Sequence, residues 1–206
     1  MNSVLEKHWK PIVFTLCIII FLGLAFLLSI NNLKGFDNFV YNAISVIKCE
    51  PVTVFFKSIT LLCSTWFVIL LTLVIMLLSK NKKRAFYIAL NVLLCYFLNQ
   101  TFKYIFARQR PIDINLISEN GYSFPSGHSM VSVAYYGFIA YIVAHLRLKK
   151  KTKRLYVILL MILTLLIGAS RIYLGVHYAS DVLAGYALAM AYLIVYIVLF
   201  YKKMEK

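Results

Sequence analysis

The stretch Ser170–Asp181, SRIYLGVHYASD, sets an Arg, a His and an Asp where one strongly apolar run ends and the next begins. Ionisable groups are costly at membrane depth, which makes them functional candidates. His177 and Asp181 are four residues apart. On a helix they would share a face, and the carboxylate would reach one imidazole nitrogen. That pairing holds the ring in one tautomer and leaves the other nitrogen free as a nucleophile. Taken singly, each residue has a plainer role available: Asp181 or Ser180 as a helix cap, His177 as an interfacial residue.

Two other stretches offer partners. Lys103 and Arg110 are seven residues apart, with Arg108 between them and Pro111 after. A lone Lys at a helix end is explained by snorkelling to the interface. Further cations on a side otherwise poor in positive charge point to a phosphate. Pro125-Ser126-Gly127-His128 opens another apolar run. Pro suits a first helical turn, and Gly admits close approach to the backbone. The N–H groups of Ser126, Gly127 and His128 would form an anion site reinforced by the helix dipole, and His128 would stand ready to donate a proton. Arg171 completes a set of three cations with Lys103 and Arg110.

Something must carry these residues to one place. The chain has 206 residues, 62% hydrophobic and 14% charged, far too apolar for an ordinary soluble domain. It reads as an all-α, polytopic membrane protein, one domain over residues 1–206, with no dividing linker and no internal repeat. The formal charge of +15 comes from short basic runs beside apolar segments. These suit topology and lipid headgroups rather than nucleic acid. Cys17, Cys49, Cys63 and Cys95 form no CxxC and no metal-like cluster, so neither a metal site nor a disulfide framework is expected.

Six transmembrane helices are expected from runs of roughly 20 apolar residues: Ile12–Ile30, Val52–Ser79, Ala85–Phe106, Ser126–Leu146, Leu155–Ser170 and Val182–Tyr201. The first is long for a signal peptide and lacks a small-residue cleavage site, so it reads as a retained span. The N-terminus, the C-terminus and the loops at 80–84 and 147–154 hold 15 of the 22 Lys and Arg. The positive-inside rule puts them, and both termini, in the cytoplasm, and the three motif stretches on the extracytoplasmic face. In the first outer loop Phe36, Phe39, Val40, Ala43, Ile44 and Ile47 recur at helical spacing, with Asp37 among the residues of the other face. This predicts a short amphipathic helix, lying in the interface or capping the bundle. His8 and His145 fall at cytoplasmic ends, away from the motifs.

Lys103-x6-Arg110-Pro111, Pro125-Ser126-Gly127-His128 and Ser170-Arg171-x5-His177-x3-Asp181 together resemble the three-part signature of the type-2 phosphatidic acid phosphatase family. That family is the membrane branch of a superfamily that includes vanadium-dependent haloperoxidases. The resemblance implies that Lys103, Arg110 and Arg171 hold phosphate oxygens, with Ser126, Gly127 and Ser170. It implies that His177 attacks phosphorus, Asp181 orients it and His128 protonates the leaving oxygen. It further implies metal-independent chemistry without a cofactor, on a lipid (di)phosphate in the plasma membrane. Undecaprenyl diphosphate is the first expectation, with phosphatidylglycerophosphate or phosphatidic acid next. A non-catalytic lipid-phosphate binder or transporter needs the cations but not the two His and the Asp. Transfer of phosphate to an acceptor other than water would use the same residues. Apart from membrane lipids, no obligate partner is implied.

Overall fold

The computed structural model describes residues 3–112 and 114–205. Lys206 lies outside them, as do the side chains of Lys7, His8 and Lys202. The elements are helical: α1 Ser3–Ser29, α2 Lys34–Ser45, α3 Glu50–Leu61, α4 Thr65–Leu78, α5 Lys82–Phe106, α6 Gly127–Ser132, a π-helical segment Val133–Gly137, α7 Phe138–His145, α8 Lys150–Tyr173 and α9 Ala179–Glu205. There is no strand among the described residues. Five spans are long and apolar enough to cross a membrane: Trp9–Ser29, Lys82–Phe106, Gly127–His145, Lys150–Tyr173 and Ala179–Tyr201. A sixth is counted only if α2 and α3, bent by 119°, are taken as one broken span.

The expected helix Val52–Ser79 is in fact two, α3 and α4. Apolarity runs through both, but the backbone turns at residues 62–64. Ser64 is extended (ψ 150°), and its side chain accepts the Phe67 N–H at 3.3 Å, capping α4. The Leu62 carbonyl takes the Tyr136 hydroxyl from the π-helical segment. This break leaves Thr60 near the end of α3, buried, where Arg171 reaches it.

α9 lies at the centre of the bundle. Small residues stand among its buried positions, Ala184, Ala187, Ala189 and Ala191. A Cβ on Gly185 would come 2.8 Å from the Ser126 carbonyl oxygen, so glycine there lets α9 meet the start of α6 backbone to backbone. The π-helical segment is braced from α5. Asn91, fully buried, donates through Nδ2 to the Ala134 carbonyl at 2.6 Å. That supplies a partner where the wider turn disturbs the helical ladder.

A helix, α2, lies in the loop where an amphipathic helix was expected, but its faces are not divided as the spacing predicts. Val40 and Ile44 pack on Ile172, Ala179 and Val182, whereas Phe39 is 73% exposed. Asp37, expected on the solvent-facing side, is the buried residue of this helix. Its ion pair with Arg108 accounts for that.

Candidate active site

Two connections meet at one end of the bundle and bring the three motif stretches together. The link from α8 to α9 turns sharply at Gly175, whose φ is +70°. A Cβ there would lie 2.2 Å from the Ile114 carbonyl oxygen. Only glycine allows both that backbone angle and so close a crossing. Leu116 N–H donates to the Leu174 carbonyl at 2.8 Å, so the long link from α5 to α6 is fastened across the turn. From the other side, Ser126 N–H donates to the Asp181 carbonyl at 3.0 Å. The second and third motifs are thus joined through the main chain.

His177 sits in this turn, 3% exposed, just ahead of α9. It therefore does not share a helical face with Asp181, as the spacing alone would have it. The turn brings them together instead, with His177 Nδ1 3.4 Å from Asp181 Oδ2. That is ion-pair distance without hydrogen-bond alignment, and Nδ1 makes no aligned hydrogen bond. Asp181 closes the first turn of α9 by accepting the Tyr178 N–H at 3.0 Å, in the manner of an acidic N3 residue. Arg110 Nη1 lies 3.0 Å from His177 Nε2. Arginine can only donate, so Nε2 is the acceptor and the ring proton is on Nδ1, facing Asp181. Burial holds the His177 imidazole well below its ordinary pKa, and Arg110, Arg171 and Lys103 push the same way. The ring is neutral near pH 7, with its lone pair on Nε2.

The three cations converge on the same place and find most of their partners in the connecting chain. Lys103, 9% exposed, donates to the Tyr122 carbonyl. Arg110 donates from Nε to Gly121 O at 2.9 Å, from Nη2 to Asn120 O at 3.1 Å and from Nη1 to Val176 O at 2.9 Å. Arg171, 1% exposed, donates from Nη1 to Thr60 Oγ1 at 2.7 Å and from Nη2 to the Glu119 carboxylate, while its Nε has no partner. Residues 119–122 thus meet these cations with one carboxylate and three carbonyls.

The second motif is arranged differently from its expected pattern. Pro125 precedes the cap rather than starting the helix, and Ser126 is the N-cap, its Oγ 3.4 Å from Ser129 N. Because Ser126 N–H is taken by Asp181, the expected anion cradle reduces to Gly127 and His128. His128 is half-buried, and its carbonyl meets Cys63 Sγ at 3.4 Å. Ser170 is buried and turns its hydroxyl to Ile167 O at 2.6 Å on its own helix, rather than to the cations.

Three contributors had no recognisable sign in the sequence. Asn99 on α5 donates to the Pro125 carbonyl at 3.0 Å and supports the second motif. Glu119 and Thr60 hold Arg171. Arg108, expected with the phosphate cations, instead binds Asp181 and Asp37. Beside the site, an apolar cavity of about 490 Å³ lies between α4 and α5. Its lining runs from Met76 and Phe86 to Cys63 and Val131, one helical turn from His128.

Comparison with known proteins identifies the family. The family model described as the PAP2 superfamily matches residues 84–205. Phosphatidylglycerophosphatase B of Bacillus subtilis (strain 168) is 43% identical over 94 residues, 45% of this chain. The match spans only about half (46%) of the length of that curated relative. Among solved structures, a transmembrane PAP2-type phosphatidylglycerolphosphate phosphatase from Bacillus subtilis superposes with a TM-score of 0.83 at 29% identity, covering 92% of this chain and 96% of that one. Aquifex aeolicus LpxE superposes with a TM-score of 0.59 at 27% identity, covering 77% and 91%. By sequence over residues 84–205 and by fold over nearly its whole length, this chain belongs to the PAP2 superfamily.

Proposed function

We propose that the protein is a multi-pass membrane phosphatase that hydrolyses a lipid phosphate through a phospho-histidine, without a metal ion. The observation that carries this reading is the 3.0 Å contact between the lone pair of His177 Nε2 and Arg110 Nη1. It sets a neutral nucleophile against a cation suited to phosphate. Lys103, Arg110 and Arg171 bind the non-bridging oxygens in place of the 119–122 groups, with the Gly127 backbone and the second-motif serine alongside. Nε2 attacks phosphorus in line, and the bond to the lipid oxygen breaks as His128 gives that oxygen a proton. Asp181 stabilises the cationic ring of the intermediate through Nδ1–H. His128 then takes a proton from water, the hydroxide attacks phosphorus, the P–N bond breaks and inorganic phosphate leaves. Fixed cations supply the transition-state stabilisation that metal ions give elsewhere.

The names of the two Bacillus subtilis relatives support phosphatidylglycerophosphate as the first substrate to test, ahead of undecaprenyl diphosphate and phosphatidic acid. The apolar cavity beside His128 suits a lipid tail. The distribution of basic residues supports cytoplasmic termini and an extracytoplasmic site in the plasma membrane. Residues 1–206 act as one unit. The test is phosphate release by purified protein in detergent with EDTA, offering the three lipids separately, beside His177→Ala. Release that survives EDTA and falls to below about one part in 10⁴ in the variant, the scale of losing a catalytic nucleophile, is the expected result. Lipid binding without release from any of the three refutes the enzyme in favour of a binder or transporter.

A further inference from the structure

Arg108 has left the phosphate site for another one. Its Nη1 donates to Asp181 Oδ1 at 2.6 Å and to Ser180 Oγ at 2.8 Å, and its Nη2 donates to Asp37 Oδ2 at 2.7 Å. The guanidinium carbon lies 3.9 Å from the centre of the Tyr178 ring. Asp37 completes the circuit. Its Oδ1 accepts the Ser180 N–H and its Oδ2 the Ser180 hydroxyl, both at 2.9 Å. The side chains of Arg108, Asp37 and Asp181 are 12%, 2% and 0% exposed. Asp37 comes from α2, Arg108 from the link after α5, and Ser180 and Asp181 from the first turn of α9.

We infer that Asp37 and Arg108 are positioning residues for the reaction: a clamp from Asp37 through Arg108 to Asp181 ties α2 to the first turn of α9 and fixes the carboxylate that faces His177. The inference rests on the function proposed above. A carboxylate as buried as Asp181 must be paired, and one oxygen alone cannot serve both pairing and orientation. Arg108 takes Oδ1, the Tyr178 N–H takes part of Oδ2, and the rest of Oδ2 is left at His177 Nδ1. The carboxylate then has one orientation. Charge follows the same division. Two carboxylates and one guanidinium leave the clamp with a net charge of about −1 by formal count. Attack by Nε2 makes the ring cationic, and that residual charge stabilises it. Asp37 is thus not a remote residue of an interfacial helix. It sets how much of the Asp181 charge remains for the nucleophile. α2, with Phe39 turned outward, becomes part of the catalytic support.

The clamp separates from a merely structural role by the direction of pH shifts. Asp37→Asn removes negative charge and Arg108→Gln removes positive charge from the same cluster. The other groups that face His177 are untouched: Lys103 on α5, Arg110 in the link, Arg171 on α8 and His128 on α6. In full-length protein in mixed micelles of phosphatidylglycerophosphate, or of phosphatidic acid if that is hydrolysed faster, kcat, KM and the pH profile are measured for the wild type, each single variant and the double variant. Each single variant is expected to lose roughly 10- to 100-fold in kcat, the scale of a misplaced reacting group, with little change in KM. The acid limb of the profile moves to lower pH in Asp37→Asn and to higher pH in Arg108→Gln. The double variant is no worse than Arg108→Gln alone, because the two residues act as one unit. If Arg108→Gln does not melt cooperatively, Arg108→Lys takes its place, and it should lose kcat without moving the limb. Equal activity in all variants, limbs that move together, or strictly additive losses overturn the inference while His177→Ala, inactive in parallel, upholds the phosphatase. An active His177→Ala overturns both.

Discussion

Replacing Gly175 by alanine tests whether the turn before α9 and the link from α5 are one device. The new Cβ would stand 2.2 Å from the Ile114 carbonyl oxygen, 2.6 Å from its carbon and 3.1 Å from Asn115 Cα. Ordinary contact begins above about 3 Å, and backbone on both sides leaves no flexible side chain to give way. The two strands of chain must therefore separate by about 1 Å. A φ of +70° adds about 1–2 kcal/mol of strain for a residue with a Cβ. The Leu116-to-Leu174 hydrogen bond is lost, and with it about 1 kcal/mol. A destabilisation of roughly 3 kcal/mol follows, enough to lower Tm by several degrees. More telling is the site. Arg110 is carried by the displaced link, whereas His177 is carried by the turn. A 1 Å error between them costs about 100-fold in kcat/KM. Melting and phosphate release are measured for Gly175→Ala beside Gly23→Ala, whose Cβ would have nothing within 4 Å. Wild-type melting and activity in Gly175→Ala would refute the reasoning. So would an equal loss in Gly23→Ala.

Arg110→Gln removes a cation 3.0 Å from His177 Nε2, so the His177 pKa rises toward its ordinary value. Attack needs the neutral ring, so the acid limb of kcat/KM moves to higher pH. Arg110→Lys keeps the charge and leaves the limb in place, but loses the two-pronged contact and about 100-fold in kcat/KM. A limb that stays or falls in Arg110→Gln counts against the assigned tautomer and role. Glu119 is a rival to phosphate for Arg171, and its side chain is 30% exposed. Glu119→Gln should tighten inhibition by inorganic phosphate about fivefold, the value of a partly exposed ion pair near 1 kcal/mol; an unchanged inhibition constant refutes the rivalry. Asn91→Ala strips the Ala134 carbonyl of its donor and should cost about 1–2 kcal/mol, read as a lower melting temperature without a change in KM.

How much of this was legible depended on the range over which each signal acts. The motif stretches were visible because their internal gaps are short, and the turn at Gly175 and the crossing at Ser126 bring them together. The apolar runs located most helices because a span must be apolar along its length. The same rule concealed the break in the expected helix Val52–Ser79. That break is made by Ser64 and by a hydroxyl from Tyr136, 74 residues away from the carbonyl it meets. Arg108 illustrates the wider reason. A sequence shows that a cation is present but not which anion will claim it, and Asp37 lies 71 residues off on a helix whose pattern sets it on the polar face. Glu119 stands in a link with no periodic pattern, where a carboxylate carries no sign that it will face Arg171.

A π-helical turn takes up one more residue than an α turn, so the helix from Gly127 to His145 contains, in effect, a single insertion at Val133–Gly137. One residue of α-helix is about 100° of rotation. The portion that aims His128 and the portion that ends at His145 are therefore set at independent angles on one continuous rod. Each can satisfy its own neighbours without the other. A deletion of one residue within this segment would restore a regular helix and turn His128 relative to everything below it by about that angle. Such a protein would keep every residue of the three motifs and place one of them on the wrong face.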